Sequence, residues 1–326
     1  MEDCLVDVQN MYVWFQARTG ILSKRKPTSI RAVDGVSFKL HRGETLALVG
    51  ESGSGKTTVG RAIMGLLREA AGEVWFKDRN VLTANRVNRL HLRTKMQMIY
   101  QDPFDAMNPR ETIFKIVTEP LSIHRKGLSA ESKQNLVHRA LTDVGLIPPE
   151  DFLARFPHEL SGGQRQRVLI ATALVLDPDL VIADEPVSML DAPLKVEILD
   201  LLVDLHKKRL FTQLMITHDL ALTRYVADRI AIMYLGKIME LGPTRPVLAD
   251  PYHPYTRALI KVVPTLDKAW AFEGKAVLSG EIPHPSNVPP GCRFHPRCPK
   301  VTDICRTLVP EPRTIGPRMV LCHHAS

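Results

Sequence analysis

Two five-residue runs, Thr45-Leu46-Ala47-Leu48-Val49 and Leu180-Val181-Ile182-Ala183-Asp184, are almost wholly apolar and lack the alternation of a half-exposed strand. Runs that short and that uniform predict strands buried on both faces, as in a parallel sheet covered by helices. Gln213 to Thr217 reads the same way. Ala32 to Leu40 alternates, and Val6 to Phe15 is rich in β-branched and aromatic residues, which predicts a separate pair of strands near the N-terminus. The segment between them, Ala17 to Ile30, is basic and turn-rich, a loop or hairpin tip that includes the basic stretch Gly20 to Pro27. Helical periodicity marks Thr57 to Arg68 and Ser132 to Val144, and residues 105–160 hold no comparable apolar run. The expectation is an α/β core with a helical insert at about 105–165. Beyond residue 250 prolines and cysteines accumulate, and a boundary is expected near 255–270, giving domains of 1–260 and 261–326.

Composition narrows the setting. The chain has 326 residues, of which 44% are hydrophobic, enough for one large core plus an appendage. No stretch approaches the roughly 18–20 apolar residues that a bilayer span needs. Met1-Glu2-Asp3-Cys4 lacks the basic-then-apolar layout of a secretory signal, so the expected location is cytoplasmic, with any membrane association made through partners. The net charge of +8 reads first as a solvated surface, then as affinity for anionic lipid. Nucleic acid comes third and is not expected, because no recognised binding motif accompanies the charge.

The chemistry begins where the first buried run ends. Gly50-Glu51-Ser52-Gly53-Ser54-Gly55-Lys56-Thr57 has the spacing in which glycines let the backbone wrap phosphates with inward N–H groups. The contributors are Gly50, Ser52, Gly53, Ser54 and Gly55, with Lys56, Thr57 and Thr58 opening a helix whose positive dipole end adds to the attraction. Lys56 is expected on the β- and γ-phosphates, and Thr57 on Mg²⁺ through its hydroxyl. Asp184 ends the second run, where a carboxylate can reach Mg²⁺ through a water and where an acid without a cation would be costly. Glu185 follows and is the candidate to polarise an attacking water. Ser161-Gly162-Gly163-Gln164 opens another helix and makes a second anion site with no lysine or metal ligand of its own.

The phosphate loop, Leu160-Ser161-Gly162-Gly163-Gln164 and the acidic strand together resemble the ATP-binding cassette (ABC) ATPases. The resemblance implies a P-loop NTPase core with an antiparallel β subdomain, a helical signature subdomain and a small Cys-rich tail. It implies that Gln101, in Tyr100-Gln101-Asp102-Pro103, senses Mg²⁺. It makes Ser188-Met189-Leu190-Asp191 the D-loop and His218, in Ile216-Thr217-His218-Asp219, the switch histidine on the γ-phosphate. Glu185, His218 and Gln101 are then the catalytic set. Ser161 to Gln164 and Asp191 would serve ATP held by an opposite subunit, so each site needs two chains. Phe15 is the expected adenine platform, with Trp14 and Tyr12 as rivals.

Longer wording resembles the oligopeptide/dipeptide importer ATPases. It comprises Gln97 to Pro103, Met107-Asn108-Pro109-Arg110, Phe156-Pro157-His158-Glu159 running on to Arg167, Met233 to Lys237, and His253-Pro254-Tyr255-Thr256. The Asn108-Pro109-Arg110 and Gln97-Met98-Ile99 wording leans toward the second of two sister ATPases. The implied assembly is a sister ATPase, two permease subunits and an extracytoplasmic solute-binding protein, with this chain at the cytoplasmic face of a bacterial or archaeal membrane. Nickel, oligosaccharides or antimicrobial peptides are alternative cargoes. A soluble ribosome- or DNA-directed ABC ATPase is a rival reading, opposed by the single cassette and the lack of sustained heptads. Met189, in place of the usual small D-loop residue, and Ala192-Pro193-Leu194-Lys195 depart from the family wording.

Cys292, Cys298, Cys305 and Cys322 form a C-x5-C-x6-C-x16-C pattern with His295, His323 and His324 nearby, and Cys4 stands apart. Disulfides are disfavoured in a cytosolic chain, so clustered cysteines suggest metal. The first spacings are wider than those of most zinc sites. Pro290-Gly291-Cys292 through Cys298-Pro299 resembles the tail of the peptide-importer ATPases, whose cysteines resemble ligands of a [4Fe–4S] cluster. Zinc and free thiols remain the alternatives.

Overall fold

The computed structural model describes residues 3–16, 29–262 and 280–325. The basic stretch Gly20 to Pro27 and the second half of the boundary expected at 255–270 lie outside them. The chain folds as two compact units, residues 1–82 with 216–326, and residues 83–215.

In the first unit, β1 (Cys4–Gln16) pairs antiparallel with β2 (Ser29–His41) and with β4 (Ala70–Phe76), which continues to β5 (Arg79–Asn80). β1 buries Val6, Val8, Met11 and Val13, and β2 buries Val33, Val36, Phe38 and Leu40, the alternation breaking where the register shifts near Met11. β3 (Thr45–Val49) is buried at every position and runs parallel to β9 (Arg229–Tyr234). β10 (Lys237–Pro243), β12 (Arg318–Val320) and β11 (Arg313–Ile315) extend this sheet in antiparallel fashion, so the C-terminal residues add strands to it.

Helix α1 (Lys56–Ile63) stops short of the expected Arg68. The cause is local: Gly65 takes φ +64°, and the Gly65 and Leu66 N–H groups bond back to the Ala62 and Arg61 carbonyls. That left-handed glycine stop ends a helix whatever the periodicity beyond it.

The second unit carries β6 (Met96–Ile99) parallel to β7 (Leu180–Asp184), with β8 (Thr212–Thr217) beside β7 leading the chain back to the first unit. The rest is helical. Ile113–His124 and Ala130–Asp143 pack against the helix Gly162–Leu174, which buries Val168, Leu169, Ile170 and Ala171. Thr112 and Ser129 cap the first two of these helices through side-chain oxygens. No helix among the described residues is long and apolar enough to cross a membrane.

One ion pair ties the C-terminal segment to β2. Arg293 donates to the Asp34 carboxylate and the Leu235 carbonyl, and both residues of the pair are buried. Trp14 Nε1 donates to the same carboxylate at 3.1 Å. Losing one member of such a pair leaves a buried charge without its partner. Arg293→Met in the full chain should therefore cost about 3–5 kcal/mol, read as a lower urea midpoint. Adding Asp34→Asn should recover most of the loss; an unchanged midpoint in the single variant would show that the pair contributes nothing.

Candidate functional site

The first unit holds the phosphate loop. β3 delivers Gly50 directly beneath β9, so close that a Cβ on Gly50 would stand 2.1 Å from the Met233 carbonyl oxygen. Gly55, at φ +105°, lies as near to the Ala32 carbonyl oxygen and caps α1. Gly50 is required for space alone, Gly55 for space and for its left-handed backbone. The loop is held from behind by Gly236 N–H donating to the Ser54 carbonyl at 2.9 Å. Lys56 is buried, and its ammonium donates to the Gly50 and Glu51 carbonyls at 2.8 and 3.1 Å, which keeps it across the loop it is expected to serve. Ser54 Oγ is buried without a hydrogen-bond partner, 2.8 Å from where a Cβ on Gly50 would stand. Ser52 and Gly53 are exposed, Thr57 and Thr58 half-buried. Such a cradle of backbone donors, one ammonium and a helix N-terminus suits a polyphosphate.

His218 also belongs to this unit. It follows β8 and is exposed, and Asp219 next to it caps the helix Leu220–Val226 by accepting from the Ala221 and Leu222 N–H groups. At the far end of β1, half-buried Phe15 pairs with Ile30. Its rivals are engaged elsewhere: Tyr12 meets Trp14 edge-on at 6.1 Å, and the Arg31 guanidinium lies 4.7 Å over the Trp14 ring.

The second unit brings Glu185 together with Gln101. Asp184 is buried at the end of β7, and Glu185 takes φ +47°, a left-handed backbone that glutamate rarely adopts. The Ser188 N–H and hydroxyl both donate to the Glu185 carbonyl, at 3.1 and 3.0 Å, and fix that turn. Gln101 Nε2 donates to the Glu185 carboxylate at 3.3 Å. Strained backbone held by its surroundings is a common mark of functional positions. A carboxylate so oriented and bonded by an amide can accept a proton from, or polarise, a water.

Ser161 opens the helix Gly162–Leu174 with a reciprocal cap, its Oγ accepting from Gln164 N–H while Gln164 Oε1 accepts from Ser161 N–H. Gly163 is buried against Leu194, with 3.1 Å from its would-be Cβ to Cδ2. Asp191 is exposed and caps the helix Ala192–Arg209 through Leu194 N–H, and Pro193 sits in that helix's first turn, where its missing N–H costs nothing.

The four tail cysteines are unbridged; Cys292, Cys305 and Cys322 are buried and Cys298 is half-buried. Burial, then the neighbouring thiols of Cys322, Cys305 and Cys298, pushes the Cys292 thiol up to about 11. Cys292 N–H donates to the Cys305 carbonyl, and Cys305 Sγ lies 3.5 Å from His324 Nε2. Among the described residues, no three His, Cys, Asp or Glu side chains converge as ligands of a single metal ion.

Sequence reasoning missed two contributors. Tyr255 Oη accepts from the Glu51 N–H at 3.3 Å, and Arg297 grips the Glu51 carboxylate through both terminal nitrogens at 2.8 and 3.1 Å. They lie 204 and 246 residues from Glu51, so no local pattern links them.

Comparison with known proteins places this geometry. Residues 33–188 match the ABC transporter family, and residues 239–305 match the oligopeptide/dipeptide transporter C-terminal region. The chain is 41% identical over 325 residues to the oligopeptide transport ATP-binding protein AppF of Bacillus subtilis, covering 99% of this chain and 98% of AppF. It is 40% identical to the dipeptide transport ATP-binding protein DppF of Haemophilus influenzae, over 98% and 96% of the two chains. Among solved structures, the dimeric post-hydrolysis state of the ATP-binding cassette MJ0796, bound to ADP and Pi, superposes with a TM-score of 0.64 at 27% identity. That match covers 74% of this chain and 99% of the other.

Proposed function

Since the chain belongs to the ABC transporter ATP-binding proteins that carry the oligopeptide/dipeptide transporter C-terminal region, we propose that it hydrolyses ATP to drive import of dipeptides or oligopeptides. The observation that carries this reading is likeness to AppF and DppF along essentially the whole chain, tail included. Its partners on this reading are a sister ATPase, two permease subunits and, through them, an extracytoplasmic solute-binding protein. Its place is the cytoplasmic face of the membrane.

The residue roles follow from their chemistry. Backbone N–H groups of Gly50, Ser52, Gly53, Ser54, Gly55, Lys56, Thr57 and Thr58 and the Lys56 ammonium bind the triphosphate, and Phe15 stacks on adenine. The hydroxyl of Thr57, the carboxylate of Asp184 and the amide oxygen of Gln101 are hard oxygen donors of the kind magnesium takes, and buried Asp184 fits a cation. When bound, Mg²⁺ would supply charge neutralisation on the phosphates. Glu185, oriented by its turn and by Gln101, polarises the attacking water, and His218 steadies the γ-phosphate. Ser161, Gly162, Gly163, Gln164 and Asp191 serve the nucleotide of the facing subunit. Phosphoryl transfer asks mostly for positioning and charge stabilisation, so sharing each site between two chains links hydrolysis to their closure.

The four tail cysteines are the proposed ligands of a [4Fe–4S] cluster. Four unbridged, mostly buried thiols, with Cys292 near enough to the other three for their charges to bear on it, are the donor type such a cluster takes, one thiolate to each iron. Zinc would draw all four to about 2.3 Å of one ion. Bound, the cluster supplies a covalent staple for the tail. Anaerobically purified chain should contain iron and acid-labile sulfide, about four of each. Cys298→Ser should lose both and open residues 280–325 to proteolysis. Zinc or no metal in the wild type, with unchanged proteolysis of the variant, would refute the cluster.

Gentle extraction of the tagged chain from native membranes tests the transport reading. Recovery with two multi-span permeases and a sister ATPase is expected; recovery only from soluble fractions with ribosomal or DNA-processing proteins would overturn it. Glu185→Gln should retain ATP binding and lower phosphate release by about 10²–10⁴-fold in a complex whose sister site is also disabled. Wild-type release there would remove Glu185 from its role.

A further inference from the structure

The loop that must hold a polyanion carries an acid of its own. Glu51 directly follows Gly50, and an uncompensated carboxylate there would repel the phosphates that the backbone N–H groups attract. Every polar group of Glu51 has a partner in the first unit. Its N–H donates to Tyr255 Oη at 3.3 Å, its carbonyl accepts from Lys56 Nζ at 3.1 Å, and both carboxylate oxygens accept from Arg297. The Arg297 side chain is only 5% exposed, and its guanidinium also lies 5.7 Å over the Tyr234 ring. A two-pronged arginine–carboxylate pair fixes orientation as well as charge.

Arg297 comes from the cysteine tail. It ends the one-turn helix His295–Arg297, between Cys292 and Cys298, and its N–H donates to the Phe294 carbonyl at 3.0 Å. Phe294 packs with Tyr234 and Tyr255 in a cluster that also includes Val49, the last residue of β3 before the loop. Tail and loop therefore share both a core and an ion pair.

We propose that Arg297 is a positioning residue of the nucleotide site: it neutralises and clamps Glu51, so that the C-terminal tail completes the phosphate loop of its own chain. The inference rests on the nucleotide-binding role of that loop. It assigns the tail a part in ATP affinity, separate from any metal the cysteines hold.

The test is equilibrium binding of Mg–ATP and Mg–ADP to the full-length chain. Arg297→Met leaves the Glu51 carboxylate without its counter-charge and should weaken Mg–ATP at least about tenfold, the scale for truncating one partner of a buried charge pair. Mg–ADP, with fewer charges to repel, should weaken less. Arg297→Lys, which keeps the charge and loses the fork, should fall between. The double variant Arg297→Met/Glu51→Gln removes both charges and should bind Mg–ATP within about threefold of wild type. That rescue separates a charge role from damage to the tail, which Glu51→Gln would not repair. If Arg297→Met proves insoluble, the double and lysine variants decide alone. Wild-type affinity in Arg297→Met, or failure of the double variant to recover, would overturn the proposal. A wild-type chain that binds no Mg–ATP would instead refute the nucleotide site itself.

Discussion

The close approach of Gly50 and Gly55 to neighbouring backbone is the constraint on which the first unit turns. A phosphate cradle works only if its N–H groups point inward, and that requires the loop to be pressed against something rigid. Here it is pressed against the Met233 carbonyl of β9 and the Ala32 carbonyl of β2, with no room for a single methyl. β3 is buried at every position, so it cannot shift to relieve the contact. The rigidity behind the loop comes from one apolar cluster that includes Val49, Ile232, Tyr234, Tyr255, Phe294 and Leu321. Two of those residues belong to the tail, which explains how a proline-rich segment short of apolar residues folds: it borrows the core of the sheet it extends.

Charge follows the same plan. Three tail arginines reach acids of the first unit: Arg293 pairs with Asp34, Arg297 with Glu51, and Arg318 lies 3.9 Å from fully buried Glu240. Glu240 is further held by the Tyr252 and His253 N–H groups, so its carboxylate is well supplied with donors. Burial pushes the Glu240 carboxyl up, and these bonds together with Arg318 oppose the shift. Buried pairs of this kind add little net stability over apolar packing, but they are intolerant of misplacement. Their value is in register: they fix which surface of the tail meets which strand, where greasy contacts alone would allow sliding.

The elements that the sequence made legible are those whose cause is local. A five-residue apolar run followed by glycines and Lys-Thr is strand, cradle and helix because each step depends on its immediate neighbours. The same holds for Leu180 to Glu185 and for the helix opened by Ser161, whose reciprocal cap with Gln164 is itself a four-residue event. The length of α1 was not legible, because periodicity ran on past a glycine that the backbone uses as a stop. Nor were the strands Arg313–Ile315 and Arg318–Val320, which are too short and too polar to announce themselves and exist because β10 offers an edge. Tyr255 stood out in the sequence only as part of a resemblance; its bond to the loop depends on folding across 204 residues.

Glu185 shows how local and distant causes combine at one atom. Its place after a buried strand is written in the sequence, and so is its chemistry. Its aim is not. A left-handed backbone at a glutamate costs on the order of 1–3 kcal/mol, and it persists only where its surroundings over-determine it. Two donors from Ser188 hold the carbonyl on one side, and Gln101, 84 residues earlier, holds the carboxylate on the other. The Ser188 bonds act on the turn itself, and the Gln101 bond acts on the direction of the side chain. The backbone restraint and the side-chain restraint thus come from different places in the sequence, Ser188 three residues on and Gln101 84 residues back.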